Sequence, residues 1–156
     1  MISTGMDKIA SFHGRYRFLS NFFPSPFTSE YPKTLDIPGT FEFLTVEHAY
    51  QSSKPTLPIE QHAIRLAETP GAAKQMGRKV QTRPGWDDVK IEVMSYFVEK
   101  KFEQNKDLRV MLLSTGPAEL IEGNTFNDTF WGVCNGRGEN HLGKILADVR
   151  AKYRAL

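Results

Sequence analysis

Cysteine is nearly absent. The 156-residue chain has one, Cys134, which excludes an internal disulfide and fits a reducing compartment. Histidine is scarce as well: four residues, at 13, 48, 62 and 141, are scattered without metal-ligand spacing, so neither a metal nor another cofactor is expected. No apolar run approaches the roughly 20 residues that cross a bilayer. No signal peptide or lipidation motif is present either, so the chain reads as soluble, with no membrane partner and a cytoplasmic location expected. A dominant charge is lacking too. Twenty Lys and Arg stand against 18 Asp and Glu, and a net +2 is too weak to announce nucleic-acid binding. Internal repeats, low-complexity tracts and linkers are missing, so residues 1–156 read as a single domain long enough to bury a core. Aromatics, by contrast, are abundant: 11 Phe and five Tyr point to an aromatic interior or an aromatic-lined pocket.

One stretch stands out, Thr45-Val46-Glu47-His48-Ala49-Tyr50-Gln51-Ser52-Ser53-Lys54. Read as a helix, it places Glu47, Gln51 and Lys54 at i, i+4 and i+7, on one face bordered by Tyr50. Val46, Ala49 and Ser53 fall opposite. Thr45 suits the N-cap, and Pro55 disfavours helix at Lys54, so the lysine is expected to project from a helix end. In an arbitrary helix such a stripe meets water. A carboxylate, an amide and an amine in line are also what a reactive pocket needs.

Around it, Ile9 to Phe12 is expected to form a short strand, after a loose start over residues 1–8. Residues 12–24 interleave aromatics with small polar groups, without helical or strand period. Ser20 and Asn21, held between Leu19 and Phe22, must find partners, either the local backbone or a ligand. Residues 24–40 read as a loop or loose hairpin, and 40–44 as a strand entering the Thr45 helix. A helix is expected over 58–68, with Ile59, Ala63, Leu66 and Ala67 keeping the period, and another from Pro70 to Met76, stopped by Gly77. Arg78 then follows a helix end, where an unobstructed backbone lets a guanidinium reach phosphate. The best-patterned segment is a helix from Trp86 to about Gln104, with Asp87 and Asp88 in its first turn and Lys100 and Lys101 near its end, matching its dipole. Trp86 at its mouth is a core anchor or a stacking platform, core being the commoner role. A short helix over 108–113, a strand over 118–122, a turn-like aromatic stretch over 124–132 carrying Asp128, and an amphipathic helix from Leu142 to Tyr153 complete the chain. Helices and strands do not alternate regularly, so the fold class expected is α+β, mainly helical with a few short strands.

Two familiar signatures fail. Residues 138–144 match GxxxxGK, but Ile145 stands where a phosphate-binding loop needs a hydroxyl, and no strand leads in. Gly136 and Gly138 lack the third glycine of a dinucleotide fingerprint. Cys134 with His48 or His141 has no local support as a thiol nucleophile pair.

The segments Phe18-Leu19-Ser20-Asn21-Phe22, Thr45 to Gln51 with Lys54, Thr69 to Lys74 with Gly77-Arg78, Trp86 with Lys90, Lys101-Phe102, Asn127 to Gly132, and Gly138-x-Asn140-x-Leu142-Gly143 together resemble the NADAR (YbiA-like) family, in order and over roughly residues 9–150. The resemblance implies a mainly helical α+β domain that hydrolyses N-glycosidic bonds to ribose. Two substrate classes are associated with such proteins: ADP-ribosylated guanine, in DNA or as nucleotide, and phosphorylated ribosylamino-pyrimidine intermediates of riboflavin biosynthesis. Carried over by position, Glu47, Trp86 and Asp128 correspond to an active-site acid, an aromatic and a second acid, and Lys54 to a lysine implicated in covalent chemistry with an opened ribose. Ser20, Asn21, Gln51, Arg78 and Trp131 correspond to pocket residues. The expectation is therefore a metal-independent N-glycosidase with Glu47, Lys54 and Asp128 as working groups. Removal of ADP-ribose from guanine is favoured over the riboflavin intermediates, and a module that binds ADP-ribose or a nucleotide without turnover is the non-enzymatic alternative. Arg15, Arg17, Lys74, Lys79 and Arg83 are candidates for a local basic strip. The polar stripe of the Thr45 helix is expected to face inward, with Glu47 and Lys54 largely shielded.

Overall fold

A computed structural model describes residues 7–156. Of the loose start expected over 1–8, residues 1–6 lie outside the described residues. The described chain has four short strands and six α-helices. In order these are β1 (Lys8–Ile9), a 3-10 helix (Gly14–Leu19), β2 (Phe27–Glu30), a 3-10 turn (Lys33–Leu35), β3 (Thr40–Phe43), α1 (Val46–Ser52), α2 (Pro58–Arg65), α3 (Pro70–Lys79), α4 (Trp86–Gln104), α5 (Lys106–Ser114), β4 (Glu119–Leu120) and α6 (His141–Arg154). The strands form two separate two-stranded sheets, so the α+β class stands. The chain divides into two compact units, one of residues 21–105 and the other of residues 106–156 together with the N-terminal segment up to Ser20.

In the 21–105 unit, β2 and β3 pair antiparallel in the register Phe27↔Phe43 to Glu30↔Thr40, so residues 24–40 form a hairpin arm rather than a free loop. The alternating inward residues of this hairpin meet α4. Phe43 lies 5.3 Å from Phe97, 5.4 Å from Tyr31 and 5.5 Å from Phe27 between ring centroids, within the range where aromatic pairs add to simple burial. α1, α2, α3 and α4 pack around one another beside this cluster. α1 starts at Thr45, whose extended backbone and side-chain oxygen, accepting from the His48 N–H at 3.1 Å, make a regular N-cap. Thr69 caps α3 in the same way, with Pro70 in its first turn. α4 runs from Trp86 to Gln104, as its pattern predicts.

Three expectations in this unit are corrected. The apolar period assigned to α2 holds only at Ala67: Ile59 and Leu66 are 78% and 67% exposed and Ala63 is exposed, while Ile64 and Gln61 are buried along with Ala67. The small cluster that seats α2 is Ile64, Ala67 and Ala73 with Met76 and Val80 of α3, and it needs only a narrow stripe. Gly77 does not stop α3; the helix continues to Lys79, so Arg78 lies inside its last turn. Lys101 is not a solvated charge at a helix end. It lies seven residues after Met94 on the apolar stripe, fully buried, with its ammonium 5.2 Å from the centroid of the Phe102 ring and 6.0 Å from that of Phe23.

In the other unit, β1 and β4 pair in parallel, Lys8↔Glu119 and Ile9↔Leu120. α6 packs on α5 and β4, and Leu142 and Leu146 of α6, Leu112 of α5 and Leu120 of β4 are all buried. Asn140 closes the end of β4: its side-chain amide donates to Leu120 O at 2.9 Å and its oxygen accepts from Glu122 N at 3.0 Å. Gly143 is required by that approach, since a Cβ there would stand 2.1 Å from Leu120 O. The glycines of the GxxxxGK-like stretch thus belong partly to helix–strand packing.

Burial lowers the pKa of Lys101 from its ordinary 10.5 to about 7. Between those values the unfolded chain binds the extra proton, so stability rises with pH across that window and is flat with respect to this group below pH 7. In urea unfolding at pH 6 to 10, wild type should gain stability relative to Lys101→Met from pH 7 upward, at a limiting slope of about 1.4 kcal/mol per pH unit. A pH-independent difference would show that Lys101 keeps its charge in the fold.

Candidate active site

α1 is too short to bury a broad apolar face, yet every residue from Val46 to Ser52 is buried. Its polar groups must therefore be satisfied inside the protein. His48 uses both ring nitrogens, Nδ1 with Thr45 Oγ1 at 2.8 Å and Nε2 with Ala67 O at 2.9 Å. Because a carbonyl can only accept, Nε2 carries the proton and Nδ1 accepts from the threonine hydroxyl. His48 is thus a structural histidine. Ser52 and Ser53 donate to Ala49 O at 2.9 and 2.8 Å, and Tyr31 and Ser52 share a hydroxyl contact of 2.7 Å.

Glu47 is 6% exposed, and one carboxylate oxygen, Oε2, accepts from Gln51 Nε2 at 2.6 Å. That length is characteristic of a charge-assisted bond, and the i,i+4 spacing delivers it. Glu47 N donates to Asn21 O at 3.1 Å, and Asn21 Nδ2 reaches Met94 Sδ at 3.3 Å, so Asn21 is buried and ties the segment before β2 to α1 and α4. Lys54 lies beyond α1 in the turn closed by its own N–H to Gln51 O. It is half-buried, less shielded than Glu47, with its ammonium 5.6 Å from the centroid of the Tyr50 ring. Desolvation by burial lowers its pKa; Glu47 opposes that shift, and Arg78, Lys74 and Lys90 add to it. One carboxylate and three further cations therefore act on the same amine. Trp86 is buried against Tyr50 at 5.3 Å, the core role, and its ring lies beside the aromatic that Lys54 overhangs. Arg78 is exposed on α3.

Thus Asn21, Glu47, Gln51, Lys54, Arg78 and Trp86 all belong to the 21–105 unit, around α1. Ser20, Asp128 and Trp131 belong to the other. There, Asp128 Oδ1 accepts from Phe130 N at 3.2 Å and Trp131 N at 3.0 Å, an Asx-type turn. Asn124 holds the Asp128 backbone on both sides, at 2.9 and 3.0 Å. Trp131 packs edge-on to Phe130, 4.8 Å between centroids. Ser20 caps the 3-10 helix through its N–H to Arg17 O. This unit also holds an open cavity of about 750 Å³ lined by Lys8, Arg15, Tyr16 and Thr115 among others, and none of the candidate site residues lines it. Among the described residues no group of three or more His, Cys, Asp or Glu is gathered as a metal site would require, and no helix is long and apolar enough to cross a membrane.

Arg83, read above as part of a surface basic strip, is instead an internal clamp. Its guanidinium donates to Ser53 O at 2.8 Å, Pro55 O at 3.1 Å and Leu35 O at 3.1 Å, and its N–H donates to Lys54 O at 2.7 Å. Both peptides flanking Lys54 are therefore held. No local pattern marks this arginine, because its partners are carbonyls 28 to 48 residues away. The burial of Lys101 was missed as well, although a lysine in phase with the apolar stripe of α4 is a signal for it.

The NADAR domain family model matches residues 10–154. The chain belongs to the NADAR family. It is 41% identical over 109 residues to the N-glycosidase YbiA of Shigella flexneri serotype 5b, covering 68% of each chain. It is 38% identical over 140 residues to the riboflavin biosynthesis protein VVA0006 of Vibrio vulnificus, covering 88% of this chain but 35% of that longer one. The NMR structure of Escherichia coli YbiA superposes with a TM-score of 0.80 at 31% identity, covering 99% of this chain and 88% of the other. The motif-level resemblance thus extends to nearly the whole chain.

Arg83→Met leaves three carbonyls without a charged donor, and the unfolding free energy in urea should fall by about 2–4 kcal/mol. A loss below about 0.5 kcal/mol would place Arg83 among ordinary surface arginines.

Proposed function

We propose that this NADAR protein hydrolyses the C1–N bond between ribose and a base, with ADP-ribosylated guanine, in DNA or as nucleotide, as substrate and residues 1–156 acting as one domain. The observation that carries this reading is a buried carboxylate, Glu47, close to an amine, Lys54, whose pKa is lowered chiefly by burial. Cleaving a ribose C1–N bond builds positive charge on the sugar and requires a proton for the departing base. Glu47 stabilises the first, and Asp128 serves as the acid for the second. Asp128 is oriented by the two N–H groups of its own turn that Oδ1 accepts.

A lysine with a lowered pKa offers a covalent route. Lys54 attacks C1 as a free amine, the C1–N bond to the base breaks, and the base leaves with a proton. The ribose ring then opens as its ring oxygen takes a proton, giving an imine between C1 and Lys54. Water hydrolyses the imine and returns the amine, so one water is consumed and free sugar and base are released. Arg78 and the neighbouring Lys74 and Lys90 supply the positive field that phosphate oxygens require. Trp86 offers an aromatic edge to the base or sugar, and Ser20, Asn21, Gln51 and Trp131 complete the binding set.

A second reading is supported by the match to a riboflavin biosynthesis protein: hydrolysis of phosphorylated ribosylamino-pyrimidines. Such a substrate shares the ribose C1–N bond and the phosphate, so the same groups would serve it.

Incubation with ADP-ribosylated DNA and, separately, with the phosphorylated ribosylamino-pyrimidines discriminates the two. Faster release of ADP-ribose from guanine is expected; turnover of the pyrimidine alone would select the second reading, and tight ADP-ribose binding with no release from either would leave a binding module. Borohydride reduction during turnover should trap a covalent adduct in wild type and none in Lys54→Ala. An untrapped wild type with activity kept in Lys54→Ala ends the covalent route. Glu47→Gln and Asp128→Asn, folded by circular dichroism, should each lose about 100-fold or more in kcat, the scale of a lost acid–base group.

A further inference from the structure

Gln51 presents an anomaly that the proposed reaction does not explain. Its Nε2 donates to Glu47 at 2.6 Å, but its Oε1 is buried with no hydrogen-bond partner. Among the described residues no other buried side-chain oxygen or nitrogen is left this way. Native proteins seldom leave a buried acceptor unpaired, so the orientation of this amide is held by something else. What lies against Oε1 is Gly77, inside α3. A Cβ on Gly77 would stand 1.9 Å from Oε1, 2.7 Å from Cδ and 3.2 Å from Cβ of Gln51. The first two contacts are far inside van der Waals distance.

Glycine weakens a helix interior relative to alanine, and the backbone at Gly77 is not in the left-handed region that would call for it. What this position excludes is a side chain, and the space left free is filled by the Gln51 amide. We propose that Gly77 is a positioning residue for Glu47: the missing side chain forms the seat of Gln51, whose amide in turn holds the Glu47 carboxylate. Rotating the amide would present Oε1 to the carboxylate, oxygen against oxygen, so seat and hydrogen bond select the same orientation. The proposal deepens the assignment of Glu47 as a working acid and rests on it.

Three variants test the chain of contacts. Gly77→Ala should lower kcat by about 10- to 100-fold with a much smaller change in KM, the effect of displacing a reacting group by a fraction of an ångström to an ångström. Gln51→Ala should lower kcat at least as much and also raise KM, because it removes a group of the binding set as well as the hold on Glu47. Because Gln51→Ala removes both forbidden contacts, the double variant should match Gln51→Ala within about twofold. NMR of the free protein supplies a readout independent of turnover. The Gln51 side-chain amide proton should lie downfield in wild type, as a short charge-assisted bond demands, and move back in Gly77→Ala. A Gly77→Ala variant with the amide resonance unmoved, or a double variant whose loss in kcat is the product of the single losses, overturns the proposal. If Gly77→Ala does not fold, restoration of the fold in the double variant supports the seat, and failure of the double overturns it. Full activity in Glu47→Gln would instead remove Glu47 from the reaction while the NMR result still reports on the seat.

Discussion

The 2.6 Å bond from Gln51 to Glu47 is the contact around which the 21–105 unit is arranged. It sits in a seven-residue helix buried on every side. Burying a carboxylate removes its hydration, which costs several kcal/mol unless donors replace the lost water. α1 has few residues with which to do this, so the helices that pack on it complete the environment. α2 contributes Ala67 O to His48 just beyond its end, α3 yields space to Gln51 at Gly77, and α4 holds Asn21 through Met94. Each contact is small, and together they leave α1 little freedom to shift.

Lys54 shows the same logic at the helix end. Pro55 stops α1 and turns the lysine out of the helical stripe. The flanking carbonyls that this exit exposes are taken by Arg83, so the backbone that carries Lys54 is as well anchored as the helix itself. The amine lies over Tyr50, which is packed on Trp86, and its charge is disfavoured by burial and by three neighbouring cations. Rigid attachment and a lowered pKa are the two properties a nucleophilic amine needs. Here the aromatic content of the chain has a local use: rings that fill the interior also strip water from a charged group.

Asp128 is positioned by different means. Its loop has almost no regular structure; its carboxylate is oriented by two backbone N–H groups, and its backbone is held by Asn124. A rigid loop of this kind encodes itself locally, since an Asx turn needs only the next three residues.

That locality separates what could be read in the residue order from what could not. The N-caps Thr45 and Thr69, the span of α4 and the shared face of Glu47 and Gln51 follow from contacts within about four residues, and periodicity or capping chemistry reveals them. The same holds for the motifs the chain shares with the NADAR family. The exposed Ile59 and Leu66, the continuation of α3 through Gly77, the burial of Lys101 and the clamp made by Arg83 answer to partners tens of residues away. Helix propensity allows Gly77 to end α3 as readily as to continue it; the Gln51 amide lying against it is what gives a glycine its purpose there. Linear order thus determines which groups can share a face. Packing determines whether that face meets water or a neighbour, because burial is a property of what lies opposite and no window of sequence contains it.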